Sequence, residues 1–273
     1  MSETATKPAL HYSTLATLSR CGMQAYHRYV EGRISPPGVA LIVGKAVHQA
    51  SEADLVSKME TGALLPEGAV EELAAEALDA TWEGEEPLLS DEDRERGVAV
   101  VRGEAKDEAV SLSKLHHDEV APALAPIAVE RRLRLELVGF DYDLEGTIDV
   151  EEADTIRDRK TSSRAPAEDE AVGHPQLETY AMMRKVIDGR DTKEVALDYL
   201  IKSTKKPRAV TVKARAPREF TSILRRIEAA SRVFQSGAFY PVDPTGPSGW
   251  VCTPRFCGYF ATCPYGARRK VQG

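Results

Sequence analysis

Two acidic residues and a lysine lie close together in the segment GTIDVEEADTIRDRKTS, which spans residues 146–162. Alternate residues of a β-strand point to the same face, so Asp158 and Lys160 should project together, and a hairpin can bring Asp149 beside them. Two carboxylates bind a hard divalent cation such as Mg²⁺ or Mn²⁺. A lysine next to them can hold an attacking water or stabilise developing negative charge. The segment therefore predicts a metal-dependent hydrolytic site, with the carbonyl oxygen of Arg159 as a further candidate ligand.

The same residues are compatible with a surface hairpin that carries scattered acids and a salt bridge, because D-x-K is a common tripeptide. Ile156 lies on the same predicted strand face as Asp158 and Lys160. An apolar neighbour on that face favours a partly buried site over a solvated one.

The cysteines of the chain are unevenly distributed, since three lie within residues 252–263 and the fourth is far away in sequence. They are Cys21, Cys252, Cys257 and Cys263. Glycine and proline around the C-terminal three allow short loops in which thiolates converge on a metal. Four thiolates suit either zinc or an iron–sulfur cluster. The alternative is four unrelated core cysteines, which the clustering disfavours.

A basic segment, residues 202–218, contains no acidic residue. Its basic residues are Lys202, Lys205, Lys206, Arg208, Lys213, Arg215 and Arg218. This pattern predicts either a track for DNA phosphates or a solvated hairpin. Arg268, Arg269 and Lys270 form a second candidate track, and the nearby aromatic residues Tyr259 and Phe260 are candidates for stacking on bases.

Hydrophobic periodicity indicates the elements that must position these residues. Helical spacing predicts helices over residues 13–30, 39–59, 174–187 and 217–235, with Ser13 as the first N-cap. Alternation predicts strands over residues 127–137, 138–150, 155–162, 194–202 and 207–213. Residues 64–120 are rich in Ala, Glu and Asp and predict two or three amphipathic helices, with His116 and His117 at the surface. This order of elements favours an α/β or α+β fold.

Composition narrows the class of protein. The 273 residues carry a formal charge of −7, which argues weakly against a general nucleic-acid coat protein. The N-terminal sequence lacks the features of a targeting segment, and no apolar run approaches the length of a membrane helix, so we expect a cytoplasmic protein without a membrane partner. The chain contains no P-loop, so we expect no helicase motor within it.

Four motifs in order resemble those of the PD-(D/E)XK nuclease superfamily, and most closely its RecB-like branch. The motifs are His48 in GKAVH, Asp149 in GTID, Asp158 and Lys160 in DRK, and Gln176 and Tyr180 in QLETY. That branch contains the AddB nuclease domain, phage exonucleases and the CRISPR-adaptation nucleases of the "Cas four" type. The present chain has Asp158 where many members have Glu before x-Lys, which the pattern allows.

The resemblance implies a role for each motif residue. His48, Asp149, Asp158 and the Arg159 carbonyl would hold Mg²⁺ or Mn²⁺, and Lys160 would act on the attacking water. Gln176 and Tyr180 would support the site or the DNA end, and Glu130, in AVERR, is a weaker candidate for the same support. Cys21, Cys252, Cys257 and Cys263 match the cysteines that bind a 4Fe–4S cluster in the resembling nucleases, although zinc is also compatible with these ligands.

The resemblance also implies a fold and a function. We expect a restriction-endonuclease-like α/β core, in which a mixed central sheet is flanked by helices, within a single nuclease domain over residues 1–273. A helical insertion would cover about 60–122 and the catalytic sheet about 123–235, and an Fe–S clamp would join 13–30 to 237–273. The function implied is exonuclease action on DNA, leaning towards single-stranded ends and 5′→3′ polarity, in phage or prokaryotic recombination or repair. A helicase, recombinase or single-strand-annealing protein would be the partner.

Two alternatives come from another class of protein. One is a DNA-binding or assembly subunit of a larger nuclease–helicase or CRISPR-adaptation complex, with endonuclease activity or none of its own. The other is a zinc-stapled binding module without catalysis. The complete acid–acid–lysine set favours the enzyme over both.

Overall fold

A computed structural model of the chain describes residues 7–203, 206–254 and 256–267. A short strand and a run of helices precede three consecutive strands, and one helix, two strands and two helices follow. They are β1 (Ala9–His11), α1 (Tyr12–Arg20), α2 (Gly22–Ala25), α3 (Val39–Thr61), α4 (Glu67–Gly84), α5 (Asp91–Arg96), α6 (Val98–Leu115), β2 (Ala128–Leu135), β3 (Asp143–Glu151), β4 (Thr155–Ser162), α7 (Pro175–Asp188), β5 (Glu194–Ile201), β6 (Arg208–Arg215), α8 (Thr221–Ser236) and α9 (Pro264–Ala267). Short π-helical and 3₁₀ turns connect some of them, including the π-helical turns Tyr26–Val30 and His116–Val120.

Six described strands form one mixed sheet. They pair in the order β1–β3–β4–β5–β6, and β2 also pairs with β3. β3 and β4 are antiparallel, β4 and β5 are parallel, and β5 and β6 are antiparallel. The expected α/β class, with a mixed sheet flanked by helices as in restriction endonucleases, is confirmed.

The described chain divides into two compact units. The first contains residues 1–36, 134–146 and 219–273, and the second contains residues 37–133 and 147–218. The expected single domain with a helical insertion and a terminal clamp stays a prediction. Among the helices of the described ranges, none combines the length and the hydrophobicity that a membrane-spanning segment requires.

A large apolar cluster of the second unit joins its helices to the sheet. Buried residues of α3, α4 and α6 pack together with Val150 of β3 and Leu200 of β5. Because Val150 and Leu200 lie on strands, this core fixes the three helices against one face of the sheet. The region expected to be helical, residues 64–120, accordingly forms α4, α5 and α6.

In the first unit, the aromatic rings of α8 and the segments beside it form a connected cluster. Phe234 contacts the rings of Phe239, Tyr142 and Tyr29, and Phe239 contacts Tyr26. α8 is amphipathic as expected, since its buried residues Ile223, Ile227 and Ala230 recur at helical spacing.

The first helix departs from its expected form. The helical spacing that predicted one helix over residues 13–30 is interrupted at Cys21, whose backbone is extended with φ −161° and ψ 116°. Helix α1 also begins at Tyr12, so Ser13 is not its N-cap. The break lets α2 start in a new direction directly after the cysteine, which a periodicity of apolar residues cannot reveal.

Candidate active site and cysteine cluster

Helix α3 carries His48 to the sheet. Its buried residues Ala46, Val47 and Ala50 belong to the core of the second unit, so the helix is held firmly on both sides of His48. One turn earlier, Gly44 faces β4, where an added Cβ would lie 3.4 Å from Thr161 Oγ1. An added Cβ would make only an ordinary van der Waals contact, so a residue as small as glycine or alanine is compatible with the position of this helix on the strand.

The imidazole of His48 lies between the backbone of β4 and the carboxylate of Asp149. His48 Nε2 is 3.2 Å from the carbonyl oxygen of Arg159, and His48 Nδ1 is 3.5 Å from Asp149 Oδ2. The tautomer that donates from Nε2 to the carbonyl leaves the Nδ1 lone pair facing the carboxylate. Asp149 is in turn fixed by the Arg159 backbone N–H, which donates to Asp149 Oδ2 at 2.8 Å.

Glu130 of β2 completes this group. Its Oε1 lies 3.8 Å from His48 Nδ1, and ligand atoms of His48, Glu130 and Asp149 all lie within 4.8 Å of one another. Glu130 has φ 47°, the one positive φ among the described non-glycine residues. A glutamate in this sparsely populated region carries backbone strain, which persists only where the surroundings enforce it.

The buried side chain of Arg159 is one of the groups that hold Glu130 in this conformation. Arg159 is 2% exposed, and its Nη2 donates to Glu130 Oε1 at 3.2 Å. Because successive side chains of a strand point to opposite faces, it points away from the face of Asp158 and Lys160, and the middle residue of D-x-K supports the site through Glu130. His116 lies in the same environment and is fully buried, which corrects the expectation of a surface histidine. Burial and the nearby Arg159 hold its pKa well below the ordinary value, so it is neutral.

A chain of polar contacts runs from Asp158 to helix α7. Lys160 Nζ lies 2.6 Å from Asp158 Oδ2 and donates to Gln176 Oε1 at 2.8 Å. Gln176 Nε2 in turn lies 3.2 Å from the hydroxyl oxygen of Tyr180. Gln176 and Tyr180 are four residues apart and share a helix face, so α7 holds Lys160 through a glutamine that is itself fixed.

Burial dominates the electrostatics of the site. It raises the pKa of Asp158 to about 6, with a further contribution from the negative charge of Asp149, while Lys160 opposes the rise. Burial also raises the pKa of the Tyr180 hydroxyl, so this residue is a neutral hydrogen-bonding group. Two carboxylates held close together in a buried place repel each other, and a bound cation would relieve that repulsion.

The residues present fit a divalent metal ion. Carboxylate oxygens are ligands that Mg²⁺ and Mn²⁺ take, and an imidazole nitrogen is a ligand for transition metals. The convergence of His48, Glu130 and Asp149, together with the raised pKa of Asp158, is the arrangement expected where a cation balances clustered acids. All these residues line one cavity, together with Lys160 and Gln176.

The basic segment 202–218 is partly neutralised. Lys202 forms an ion pair with Glu108 at 3.0 Å, and Lys213 forms one with Glu194 at 2.8 Å. Lys206 and Arg208 are exposed, whereas Lys205 lies outside the described residues. Lys206 and Arg208 are therefore the better candidates for contact with phosphates, and Lys202 is the weaker one.

The four cysteines line one cavity in the first unit. None of them forms a disulfide; Cys21, Cys252 and Cys257 are half-buried and Cys263 is buried. Burial raises the pKa of the Cys257 thiol, and the other nearby cysteines add to the rise, so a thiolate there requires a bound cation to stabilise it. The donor set consists of soft sulfur ligands, which suits an iron–sulfur cluster or zinc.

A buried nitrogen in the same cavity also fits a bound group. His27 is 4% exposed and lines the cavity, with Nδ1 at 2.6 Å from Glu31 Oε2. Its Nε2 is buried without a hydrogen-bond partner among the described residues. Because buried polar atoms are normally satisfied, this nitrogen indicates that the cavity accommodates a polar group beside the thiols.

The segment after Cys21 packs without space for a side chain. A Cβ added at Gly22 would lie 2.5 Å from the carbonyl oxygen and 2.8 Å from the amide nitrogen of Tyr240. We expect Gly22→Ala to lower the stability of the first unit by about 1–3 kcal/mol, because backbone atoms must move to admit the methyl group. Thermal unfolding followed by circular dichroism measures this loss.

Gly103→Ala is the matched control for that substitution. Gly103 lies within α6, and an added Cβ there would meet nothing within 4 Å. Alanine favours a helix over glycine by about 1 kcal/mol, so this variant should be slightly more stable than the original protein. Equal unfolding temperatures for the two variants would contradict the tight packing at Gly22.

Two aromatic residues do not match their expected role. Tyr259 and Phe260, expected to stack on bases, are 6% and 7% exposed and are therefore part of the interior. Tyr259 donates its hydroxyl proton to the carbonyl oxygen of Arg33 at 2.7 Å. The sequence could not distinguish these rings from their exposed neighbours in the same segment.

Comparison with known proteins identifies one family. A sequence model of the PD-(D/E)XK nuclease superfamily matches residues 9–264, a span that includes every residue of the candidate active site and all four cysteines. No curated protein gives a significant match. A solved structure described as the crystal structure of SSO0001 is 13% identical over 96% of this chain and 89% of that chain, with a TM-score of 0.38, which is too low to carry an argument.

Proposed function

Because the chain belongs to the PD-(D/E)XK nuclease superfamily, we propose that it is a metal-dependent deoxyribonuclease that hydrolyses phosphodiester bonds. The observation that carries this proposal is the position of Lys160, which is held between the carboxylate of Asp158 and the amide of Gln176. A lysine fixed in this way beside clustered acids suits the activation of a water molecule for attack on phosphorus.

The residues of the site have different roles in this proposal. Asp149, Glu130 and His48 Nδ1 would hold Mg²⁺ or Mn²⁺, with Asp158 and the Arg159 carbonyl as the adjacent candidate ligands on β4. A divalent ion bound there would supply Lewis acidity towards the scissile phosphate and a lowered pKa for water. Lys160 orients the attacking water and neutralises charge that develops on the phosphate oxygens, and Gln176 keeps its ammonium group in place.

Glu130 offers a test of the metal site that does not depend on cleavage. We expect Glu130→Gln to weaken Mn²⁺ binding by about 10-fold or more, because one anionic oxygen of the converging set is lost. Isothermal titration calorimetry of Mn²⁺ into the DNA-free protein measures the affinity. Glu52→Gln is the matched control. Glu52 lines the same cavity, and burial raises its pKa, but it is not one of the three residues whose ligand atoms converge. An equal loss of affinity in both variants would contradict a specific role for Glu130.

We propose the finer activity from the resemblance to the RecB-like branch. The enzyme acts as an exonuclease on DNA with free ends, preferably single-stranded and in the 5′→3′ direction, in recombination or repair. The chain then works beside a helicase, recombinase or single-strand-annealing partner. The exposed Lys206 and Arg208 support this proposal as candidate contacts for the backbone phosphates.

The cysteine cavity has a structural role in this proposal. Cys21, Cys252, Cys257 and Cys263 bind a 4Fe–4S cluster that ties the segment after α1 to the C-terminal loops of the same unit. Binding of the cluster contributes directly to the folding free energy, since an unfolded chain does not hold four thiolates together. Zinc is the second candidate because it accepts the same four ligands.

Cleavage of end-labelled DNA tests the proposal. Single-stranded, double-stranded and closed-circular substrates are incubated with Mg²⁺ or Mn²⁺, and with EDTA, using anaerobically purified protein. The proposal expects shortening of linear strands from one end and none in EDTA. Cleavage of closed circles would make the enzyme an endonuclease, and binding without cleavage on any substrate would favour a DNA-binding or assembly subunit.

A further inference from the structure

An exposed aromatic pair lies in the loops that carry the C-terminal cysteines. Trp250 is 56% exposed and Phe256 is 50% exposed, and their ring centroids are 5.1 Å apart at an interplanar angle of 85°. The other tryptophan of the chain, Trp82, is 7% exposed. Large aromatic side chains normally bury most of their surface, so two adjacent exposed rings indicate an interaction site for a ligand.

The pair is held in a fixed position. The 3₁₀ turn Gly249–Val251 presents Trp250, and the Trp250 carbonyl accepts a hydrogen bond from Thr253 Oγ1 at 3.0 Å. The amide nitrogens of Phe256 and Cys257 lie 3.1 Å and 2.9 Å from the Thr253 carbonyl and donate to it. Cys252 and Cys257 flank the loop, so the groups that line the cysteine cavity also fix the two rings.

The charge of the surrounding sequence favours one kind of ligand. Residues 244–273 contain four basic residues and no acidic residue, in a chain whose formal charge is −7. They are Arg255, Arg268, Arg269 and Lys270, all of which lie outside the residues that the structure describes, so the charge is a property of the sequence alone. A polyanion with exposed flat rings matches this combination of positive charge and aromatic surface. Single-stranded DNA has both properties, whereas the bases of a duplex are already stacked on each other.

We propose that Trp250 and Phe256 form a base-stacking platform for single-stranded DNA. This inference rests on the proposed DNA-cleaving function and assigns it a separate contact with the unpaired strand. The platform belongs to the first unit, so it contributes affinity for the strand without supplying a group to the hydrolytic reaction.

Binding of a fluorescein-labelled oligo-dT of about 16 nucleotides, followed by anisotropy in EDTA, tests the platform. We expect Trp250→Ala and Phe256→Ala each to raise the Kd by about 10-fold, since stacking on one base contributes that order of affinity. Trp250→Tyr keeps a ring and should retain most of the binding. Tyr240→Ala is the matched control, because Tyr240 is 67% exposed in the same unit and lies outside the aromatic pair.

Each other result has a defined meaning. Unchanged affinity in both alanine variants, or equal loss in Tyr240→Ala, would overturn the platform. A duplex that competes as well as oligo-dT would also overturn it, as would a change of oligomeric state in Trp250→Ala, which would make the pair a protein interface. Because EDTA prevents hydrolysis, ring-dependent binding by a protein that never cleaves DNA would contradict the proposed function and leave the platform standing. If the protein cleaves DNA but binds it equally well without the two rings, the platform is overturned and the proposed function stands.

Discussion

Asp158→Asn should abolish DNA cleavage and at the same time raise the unfolding temperature of the protein in EDTA. The carboxylate is 1% exposed, and burial raises its pKa to about 6. Its ionised form is therefore less favourable in the folded chain than in water, and asparagine removes that charge. We expect cleavage to fall by about three orders of magnitude, because the variant lacks both an anionic oxygen for the metal ion and the charged partner of Lys160.

The sign of the pH effect follows from the raised pKa. An acid whose pKa is higher in the folded than in the unfolded chain destabilises the fold increasingly as pH rises from the unfolded value towards about 6, and by a constant amount above it. The gain in Tm for Asp158→Asn should therefore be largest above pH 6, at about 3 °C, and should shrink as pH falls towards 4. Differential scanning calorimetry in EDTA across this range measures it.

Asp198→Asn is the matched control for this prediction. Asp198 is 1% exposed on the neighbouring strand β5, but its carboxylate accepts hydrogen bonds from Arg157 and Thr211. Removing one partner of a buried ion pair destabilises a protein by about 3–5 kcal/mol, so the Tm should fall at neutral pH. A fall of Tm in Asp158→Asn as well would mean that its pairing with Lys160 outweighs the penalty of burial, and our account of the site's electrostatics would be wrong.

Cys257→Ser should remove the visible absorbance of the anaerobically purified protein and unfold the first unit. A cluster bound by four thiolates absorbs broadly near about 400 nm, and serine does not replace a thiolate as a soft ligand. Structural metal binding contributes about 10 kcal/mol or more to folding, which is comparable to the whole stability of a typical folded unit. Absorbance, iron and zinc analysis and circular dichroism follow the two effects.

Ala261→Ser places the same side chain at an exposed neighbouring position and should change neither property. If the original protein is colourless and contains zinc, the four cysteines form a zinc site and not an iron–sulfur cluster. A protein without bound metal, in which Cys257→Ser unfolds at the same temperature as the original, would leave the cysteines as ordinary core residues.

The strands of the site follow from the sequence more directly than its supporting side chains. The segment TIRDRKTS predicted a strand over residues 155–162, and β4 has the same bounds. Spacing likewise places Asp158 with Lys160 on one strand face and Gln176 with Tyr180 on one helix face. Only the family resemblance joins these two pairs in one site, because local periodicity does not relate a strand to a distant helix.

Other features depend on contacts that no local pattern encodes. The charged segment around His116 gave no sign that this residue is fully buried beside Arg159, since its environment comes from a distant strand. The positive φ of Glu130 has no sequence signature in a residue other than glycine. The extended backbone at Cys21 interrupts a regular apolar spacing, so the site of the break could not be inferred from that spacing.

The measurement that tests the central claim most directly is single-turnover cleavage of end-labelled single-stranded DNA by Lys160→Ala. We expect the rate with Mn²⁺ to fall by about three orders of magnitude, while DNA affinity in EDTA stays within about twofold of the original. Lys185→Ala is the control, because Lys185 lies near the C-terminal end of α7, where it pairs with Asp191. This variant should cleave at the original rate. Cleavage by Lys160→Ala at the rate of Lys185→Ala would contradict the account.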